Sequence, residues 1–312
     1  MTQTSTRVVV IVSGGDAVSP FTTPDRACAR GLAAGNTDTA LRERLLRDGI
    51  PVYTAPAMNA RGPVVEPSAD SFGAFGGMPE VLPAHMTIIS TGDIDNAGEH
   101  LARFIGHLHA EYGVAEVDWI GHSNGGLFAL AASRILGETG SPVRVGSLTA
   151  IGTPWAGGVL NRVVYGEVPS SVLDGSAESA ALMAGFRDSL DRELGLADQD
   201  TQRYLLGERG WLAAQRGVLG DAPVLLVGGG ALTAPGPDAD PSIWPHDGFV
   251  SDASALAHGI PEGVLENVTR RSYPLLHSIF VADAFGRAWQ DGLTWNVEVL
   301  DEVARFIRTA RG

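Results

Sequence analysis

Few side chains in this sequence are placed to do covalent chemistry, and Ser123 stands first among them. It lies in Gly121-His122-Ser123-Asn124-Gly125, after the apolar Val117, Trp119 and Ile120 and before Leu127, Leu130, Ala131 and Ile135 at helical spacing. That succession reads as a strand turning sharply into a helix, with the serine on the turn. A G-x-S-x-G turn of this kind pushes the hydroxyl out above the strand ends, where it is free to attack an electrophile. Small neighbours are a steric need, because a Cβ at Gly121 or Gly125 would crowd strand against helix; Gly126 and Ala129 continue the small face. The competing reading is an ordinary glycine-rich connection with a turn serine.

A serine hydroxyl is a poor nucleophile until a base takes its proton, and the base needs an acid to fix its tautomer and stabilise its cation. In the α/β-hydrolases, whose nucleophile sits on such a turn, the chain order is serine, acid, histidine. Of the eight histidines, His85, His100, His107 and His109 precede the serine, and His122 lies inside the turn. His246 adjoins the best acid candidate, Asp247, and leaves no room for that acid to precede it, and His258 comes before the last strand. His277, in RRSYPLLHSIF, follows that strand in a loop from which its imidazole can swing back over Ser123. For the acid, Asp247 in HDGFVS is preferred to Asp238 and Asp240, which sit in the APGPDADP loop, where aspartate is common turn chemistry.

Negative charge developing on a substrate oxygen needs two backbone N–H donors. One is expected from Asn124, where the helix after the serine begins and adds its positive dipole end. The other is expected from Gly15, with Asp16 as second choice, in VSGGDAVSPF after the first strand. Those glycines fit a plain turn equally well, and without the rest of a dinucleotide fingerprint they are weak support for a cofactor.

The elements that must position these residues alternate. RVVVIV (7–12) predicts a strand, TALRERLLRDG a helix with Leu41, Leu45 and Leu46 on one face, and PVYTA (51–55) a second strand. This βαβ opening predicts a mainly parallel sheet. After a Gly/Pro-rich stretch (60–83), MTIIS predicts a strand, and Asp95 or Asn96 a cap for a helix with Leu101, Phe104, Ile105, Leu108 and Tyr112 as its stripe. Three further strands are expected at 145–154, 223–230 and 264–271, and a final helix over 293–309 with Val297, Leu300, Val303, Ala304 and Ile307 inward. Residues 154–222 are far more than a crossover needs and predict a helical cap insertion between two parts of the core, 1–153 and 223–312. Within it, SAESAALMAGFRDSLDREL is amphipathic and carries Met183 and Phe186.

Composition bounds the partners. A net charge of −14 without a Lys/Arg cluster argues against nucleic acid and anionic membrane surfaces. No apolar run approaches the roughly 18 residues of a membrane span, so stable membrane insertion is not expected. The lone Cys28 excludes an internal disulfide and a multi-thiolate metal site. The opening MTQTSTRVVVIVSGG passes straight into a strand without the features of a secretion signal, which predicts a cytoplasmic protein unless a leader has been removed.

With these residues in place, the chain resembles the α/β-hydrolase superfamily, and more narrowly bacterial triacylglycerol lipase-like and esterase proteins. Three motifs carry the likeness: the Gly121–Gly125 elbow, IGTPWAG (151–157), and HDGFVS, similar to the Asp-Gly-x-Val motif that holds the catalytic aspartate of such lipases. The resemblance implies an α/β-hydrolase fold and a serine hydrolase of carboxylic esters, with Ser123 as nucleophile, His277 as base and Asp247 orienting it. It implies no metal and no organic cofactor. The substrate expected is a small-molecule ester with an apolar acyl group, lined by Phe128, Trp155, Met183 and Phe186. The sequence departs from such lipases in having Ser13-Gly14-Gly15-Asp16 where many have His-Gly, and in lacking a clear counterpart of their calcium-associated aspartate after His277. Thioesterase, lactonase or acyltransferase chemistry would use the same groups, and a non-catalytic ligand-binding protein on the same fold is the alternative of another class.

Overall fold

The computed structural model describes residues 6–25, 37–59, 62, 80–173, 184, 202–207, 209–234 and 236–312. Its main sheet has six strands, all parallel, in the order β2-β1-β5-β6-β7-β8. These are β1 (Thr6–Val12), β2 (Val52–Thr54), β5 (Val114–His122), β6 (Arg144–Ile151), β7 (Val224–Gly229) and β8 (Val268–Tyr273). The expected MTIIS strand exists only as β4 (Ile88–Ile89), and it pairs with β3 (Ala57–Met58) in a separate two-stranded ribbon.

Both faces of the sheet are covered, and the alternation along each strand shows how. In β1, Val8, Val10 and Val12 enter one core while Val9 and Ile11 enter the other; in β7, Val224 and Leu226 part from Leu225 and Val227 in the same way. Successive side chains on a strand point to opposite faces, so a continuous apolar run is what a doubly covered parallel strand requires. Helices α2 (Ile94–Tyr112) and α3 (Gly125–Glu138) close the first face, through Leu101, Phe104, Leu127 and Leu130. Helix α1 (Thr39–Arg47) closes the second through Leu41 and Leu45, together with the last helix. A mainly parallel sheet flanked by helices is the α/β-hydrolase arrangement that the motifs imply.

Several boundaries differ from expectation, each for a local reason. Helix α2 is capped by Asp93, whose carboxylate accepts the amides of Asp95 and Asn96, so those two residues are the capped and not the caps. Tyr112, at the end of the predicted stripe, is exposed. The strand expected from residue 264 begins at Val268, and Val264 is buried in the turn before it. Beyond the short α4 (Val159–Val164), α5 (Gln202–Leu206), α6 (Asp252–Ala255) and α7 (Ile279–Ala284), the final helix α8 (Val297–Ala310) is capped by Asn296. Its first residue, Val297, is 64% exposed, and Val299 takes the inward place instead.

Strand β8 forms one edge of the sheet and is its most polar strand, with Arg270, Arg271 and Ser272 exposed. Both guanidiniums are held: Arg270 Nε donates to the Leu256 carbonyl and Arg271 Nε to Glu302, each at 2.8 Å. Parts of the 154–222 insertion are core elements. Leu205, Trp211 and Leu212 are buried among α2 and α3 residues, and Trp211 Nε1 donates to Asp95 at 2.9 Å. Most of the amphipathic stretch, with Met183 and Phe186, lies outside the described residues, as does Cys28.

Candidate active site

Chain order along the sheet reverses at β1: β2 lies on one side of it and β5 on the other. Crevices that bind ligands in open α/β sheets form at such a switch point, beyond the carboxyl ends of the strands. Val12 pairs with Gly121 in register, so the loop after β1 and the turn after β5 leave the sheet side by side. Ser123 is on that turn.

The Ser123 backbone is left-handed, with φ of 53°, a conformation that costs a residue bearing a Cβ about 1–2 kcal/mol. It is held there from two sides. Its amide donates to the Ile151 carbonyl at 2.9 Å, and its own carbonyl accepts both the Gly126 amide at 3.1 Å and Thr153 Oγ1 at 2.9 Å. Strain of this kind persists only where the surroundings over-determine it. The flanking glycines are required by contact. A Cβ on Gly121 would run into the Gly125–Gly126 backbone, and one on Gly125 into the Val12 carbonyl of β1.

The structure brings the expected acid and base together. His277 Nδ1 and Asp247 Oδ2 are 2.7 Å apart, both residues being buried, and the His277 amide donates to the Asp247 carbonyl at 2.9 Å. A carboxylate accepts only, so Nδ1 carries the proton and Nε2 is left as the basic nitrogen. The other carboxylate oxygen, Oδ1, accepts the amides of Phe249 at 2.9 Å and Val250 at 2.7 Å. Asp240 instead accepts the Ser242 amide as a turn residue. No hydrogen bond joins the Ser123 hydroxyl to His277 among the described residues.

Three groups close around the His277 ring that the sequence did not single out. Gly152, at φ of 59°, approaches so closely that a Cβ there would stand 2.9 Å from Nδ1. Phe249 stacks on the imidazole, with centroids 5.2 Å apart and planes at 25°. His122 lies on it at 4.8 Å and 41°. Burial, with the neighbouring His277, pushes the His122 imidazole down to about 3. The positions of Gly152 in IGTPWAG and Phe249 in HDGFVS were the available signals.

Of the expected charge-stabilising donors, Asn124 stands at the first position before α3 without a side-chain capping bond, and its amide donates to no backbone carbonyl among the described residues. Gly15 is exposed and Asp16 is left-handed at φ of 54°. The glycine pressed on the nucleophile is Gly14, where a Cβ would lie 2.5 Å from Ser123 Cβ. This loop is anchored by buried polar groups. Ser13 Oγ donates to Asp38 and meets Ser19 Oγ at 2.9 Å, while Ser90 Oγ donates to the Ala17 carbonyl at 2.7 Å. Burial pushes the Asp38 carboxyl up to about 7. Phe128 and Trp155, expected to line an acyl pocket, have no exposed surface and belong to the main core, so their part here is packing. Three of the other histidines have structural partners: His100 Nδ1 meets the Thr87 carbonyl at 2.7 Å, His109 Nδ1 the Val114 carbonyl at 2.8 Å and His246 Nε2 the Val172 carbonyl at 3.0 Å. Among the described residues, no three His, Cys, Asp or Glu side chains converge on a metal position, and no helix is long and apolar enough to cross a membrane.

No protein-family model and no curated protein sequence matches the chain. Solved structures that resemble it include proteins described as esterases, a lipase and a thioesterase domain. An esterase from Thermogutta terrifontis, with malate bound, is 14% identical over 99% of this chain and 92% of its own, with a TM-score of 0.46. A putative esterase from Staphylococcus aureus is 12% identical over 99% and 77%, with a TM-score of 0.49. A Bacillus licheniformis lipase in its propeptide form is 12% identical over 80% of this chain, which spans 42% of that one, with a TM-score of 0.42. Likeness at this level does not extend to activity.

Proposed function

We propose that this chain, an α/β-hydrolase fold by its parallel sheet and flanking helices, is a serine hydrolase that cleaves small carboxylic esters through an acyl-enzyme. The observation that carries the reading is the buried 2.7 Å pair of His277 and Asp247, brought from loops after β7 and β8 to the rim where Ser123 is held in a strained turn. In this reading His277 Nε2 takes the Ser123 proton as Oγ attacks the ester carbonyl carbon. The amide of Asn124 and one from the 14–16 loop hold the oxyanion, aided by the positive end of α3. Collapse breaks the bond to the alcohol, which leaves with the proton from His277. Water then gives a proton to His277 and attacks the acyl-enzyme; the acid departs, and Ser123 regains its proton. Asp247 keeps the imidazole in the Nδ1–H tautomer and balances its transient charge.

The test joins labelling with turnover. A fluorophosphonate probe is expected to modify the protein at Ser123, and short-chain nitrophenyl esters to be hydrolysed by the wild type but not by Ser123→Ala. Labelling elsewhere, or unchanged turnover by the pure variant, overturns the assignment. A folded variant with wild-type melting is expected, since the change removes Oγ alone.

A further inference from the structure

The residue that precedes the nucleophile is tied to the base. His122 Nε2 lies 3.0 Å from the main-chain carbonyl of His277, a bond between residues 155 apart in sequence, and the two rings are in contact at 4.8 Å. A carbonyl only accepts, so His122 holds its proton on Nε2 and donates. We infer that His122 is a positioning residue: by clamping the His277 main chain to the Ser123 turn, it makes nucleophile and base move as one body. The inference rests on the proposed Ser123–His277 chemistry and adds a residue to it.

Two further observations agree. His277 is bounded on its other sides by Asp247, Gly152 and Phe249, but of these only Asp247 bonds it, and Asp247 belongs to the loop after β7. Among the described residues, the His122 bond is therefore the one that refers His277 to β5, the strand that leads into the serine turn. The clamp must also stay uncharged, because a second cation against the imidazole would oppose proton uptake by His277. Burial of His122 keeps it neutral across the working range. The titratable groups facing it are His277 and, through it, Asp247.

Side-chain replacements separate reach from chemistry. His122→Gln keeps an N–H donor at comparable reach, His122→Asn shortens it, and His122→Phe keeps the ring without a donor. Loss of the clamp is expected to lower kcat by on the order of 10²-fold, the scale of a 1 Å misplacement at a reacting centre. KM for a nitrophenyl ester stays within about twofold, since uniform substrate binding is untouched. Thus Phe and Asn lose kcat, and Gln recovers most of it. The low-field proton resonance of the His277–Asp247 bond gives a second reading that does not depend on turnover: sharp in wild type and Gln, broadened in Phe and Asn. Equal kcat and equal resonances in all variants overturn the clamp, as does a loss in Phe and Asn that Gln does not restore. Should His122→Phe fail to fold, the Gln–Asn contrast decides alone. If Ser123→Ala retains activity, the ester hydrolase reading fails, and the resonance still tests the clamp.

Discussion

Asp118 and Asp247 are both without exposed surface, and their surroundings are opposite. Asp118, on β5, is met by charge. Arg7 donates from Nε at 2.9 Å and Nη2 at 2.6 Å, Arg311 from Nε at 3.0 Å, and Ser147 adds its hydroxyl at 2.6 Å. Asp247 is met, among the described residues, by two loop amides and the imidazole of His277. One carboxylate is met by two guanidiniums in the fold itself. In the proposed reaction the other gains its cationic partner as His277 takes a proton, at the moment of bond making. Both aspartates are buried, so in that reading the charge of the partners, and not burial, separates the two.

The largest effect expected is at Asp247, the member the proposed reaction uses. Asp247→Asn should lower kcat by on the order of 10⁴-fold through the wrong imidazole tautomer, with little change in melting. Asp118→Asn should do the reverse. Its cost is expected at about 2 kcal/mol in urea unfolding, below the roughly 3–5 kcal/mol of a fully buried pair, because solvent screens Arg7 and Arg311, which keep 19% and 21% of their side-chain surface exposed. Turnover per folded molecule should stay near wild type. If the two profiles come out alike, the contrast is broken.

A smaller effect sharpens it. Strain at the site implies that Ser123→Gly unfolds at higher urea than Ser123→Ala, by about 1 kcal/mol, because glycine accepts the left-handed backbone and alanine does not. Both should be inactive. Equal stability of the two would mean that the turn stores no strain.

The last effect is a slope. Asp38 titrates higher in the fold, at about 7, than in the unfolded chain, because of its burial. The stability it contributes is present in full below the ordinary carboxylate range and is lost as pH rises through 7. His122 is depressed to about 3 by burial and His277, so its contribution is present above the ordinary imidazole range and lost as pH falls toward 3. Between the ordinary carboxylate and imidazole ranges the two contributions run in opposite directions, so Asp38→Asn should uncover the His122 slope: melting temperature should rise more steeply with pH from about 4 to 6.5 in the variant than in the wild type. Equal slopes in the two proteins would exclude Asp38 as a contributor.

Much of the framework was legible in the sequence. The apolar runs of β1, β5 and β7 announce strands buried on both faces, and the order Ser123, Asp247, His277 selected the acid and histidine that the fold joins by a hydrogen bond. Contacts across the chain were less legible. Nothing local distinguishes MTIIS from a main-sheet strand, since which sheet it joins depends on its pairing with residues 57–58. Aromatic residues near a nucleophile suit a pocket and a core equally, and Phe128 and Trp155 went to the core because α3 and the residues after β6 lie beneath the rim. The cage of Gly14, Gly152, His122 and Phe249 joins four separate segments, and no spacing rule encodes it.

The polar edge strand has a consequence for company. An unpaired strand edge offers its amides and carbonyls to any other extended chain, and fibres or unwanted dimers grow from such edges. On β8 the adjacent Arg270 and Arg271 stand on opposite faces of that edge, one bonded to the Leu256 carbonyl and the other paired with Glu302. Charged side chains are one of the devices that blunt an edge strand. An extended chain approaching β8 would have to strip water from a guanidinium on either face of the strand before it reached the backbone.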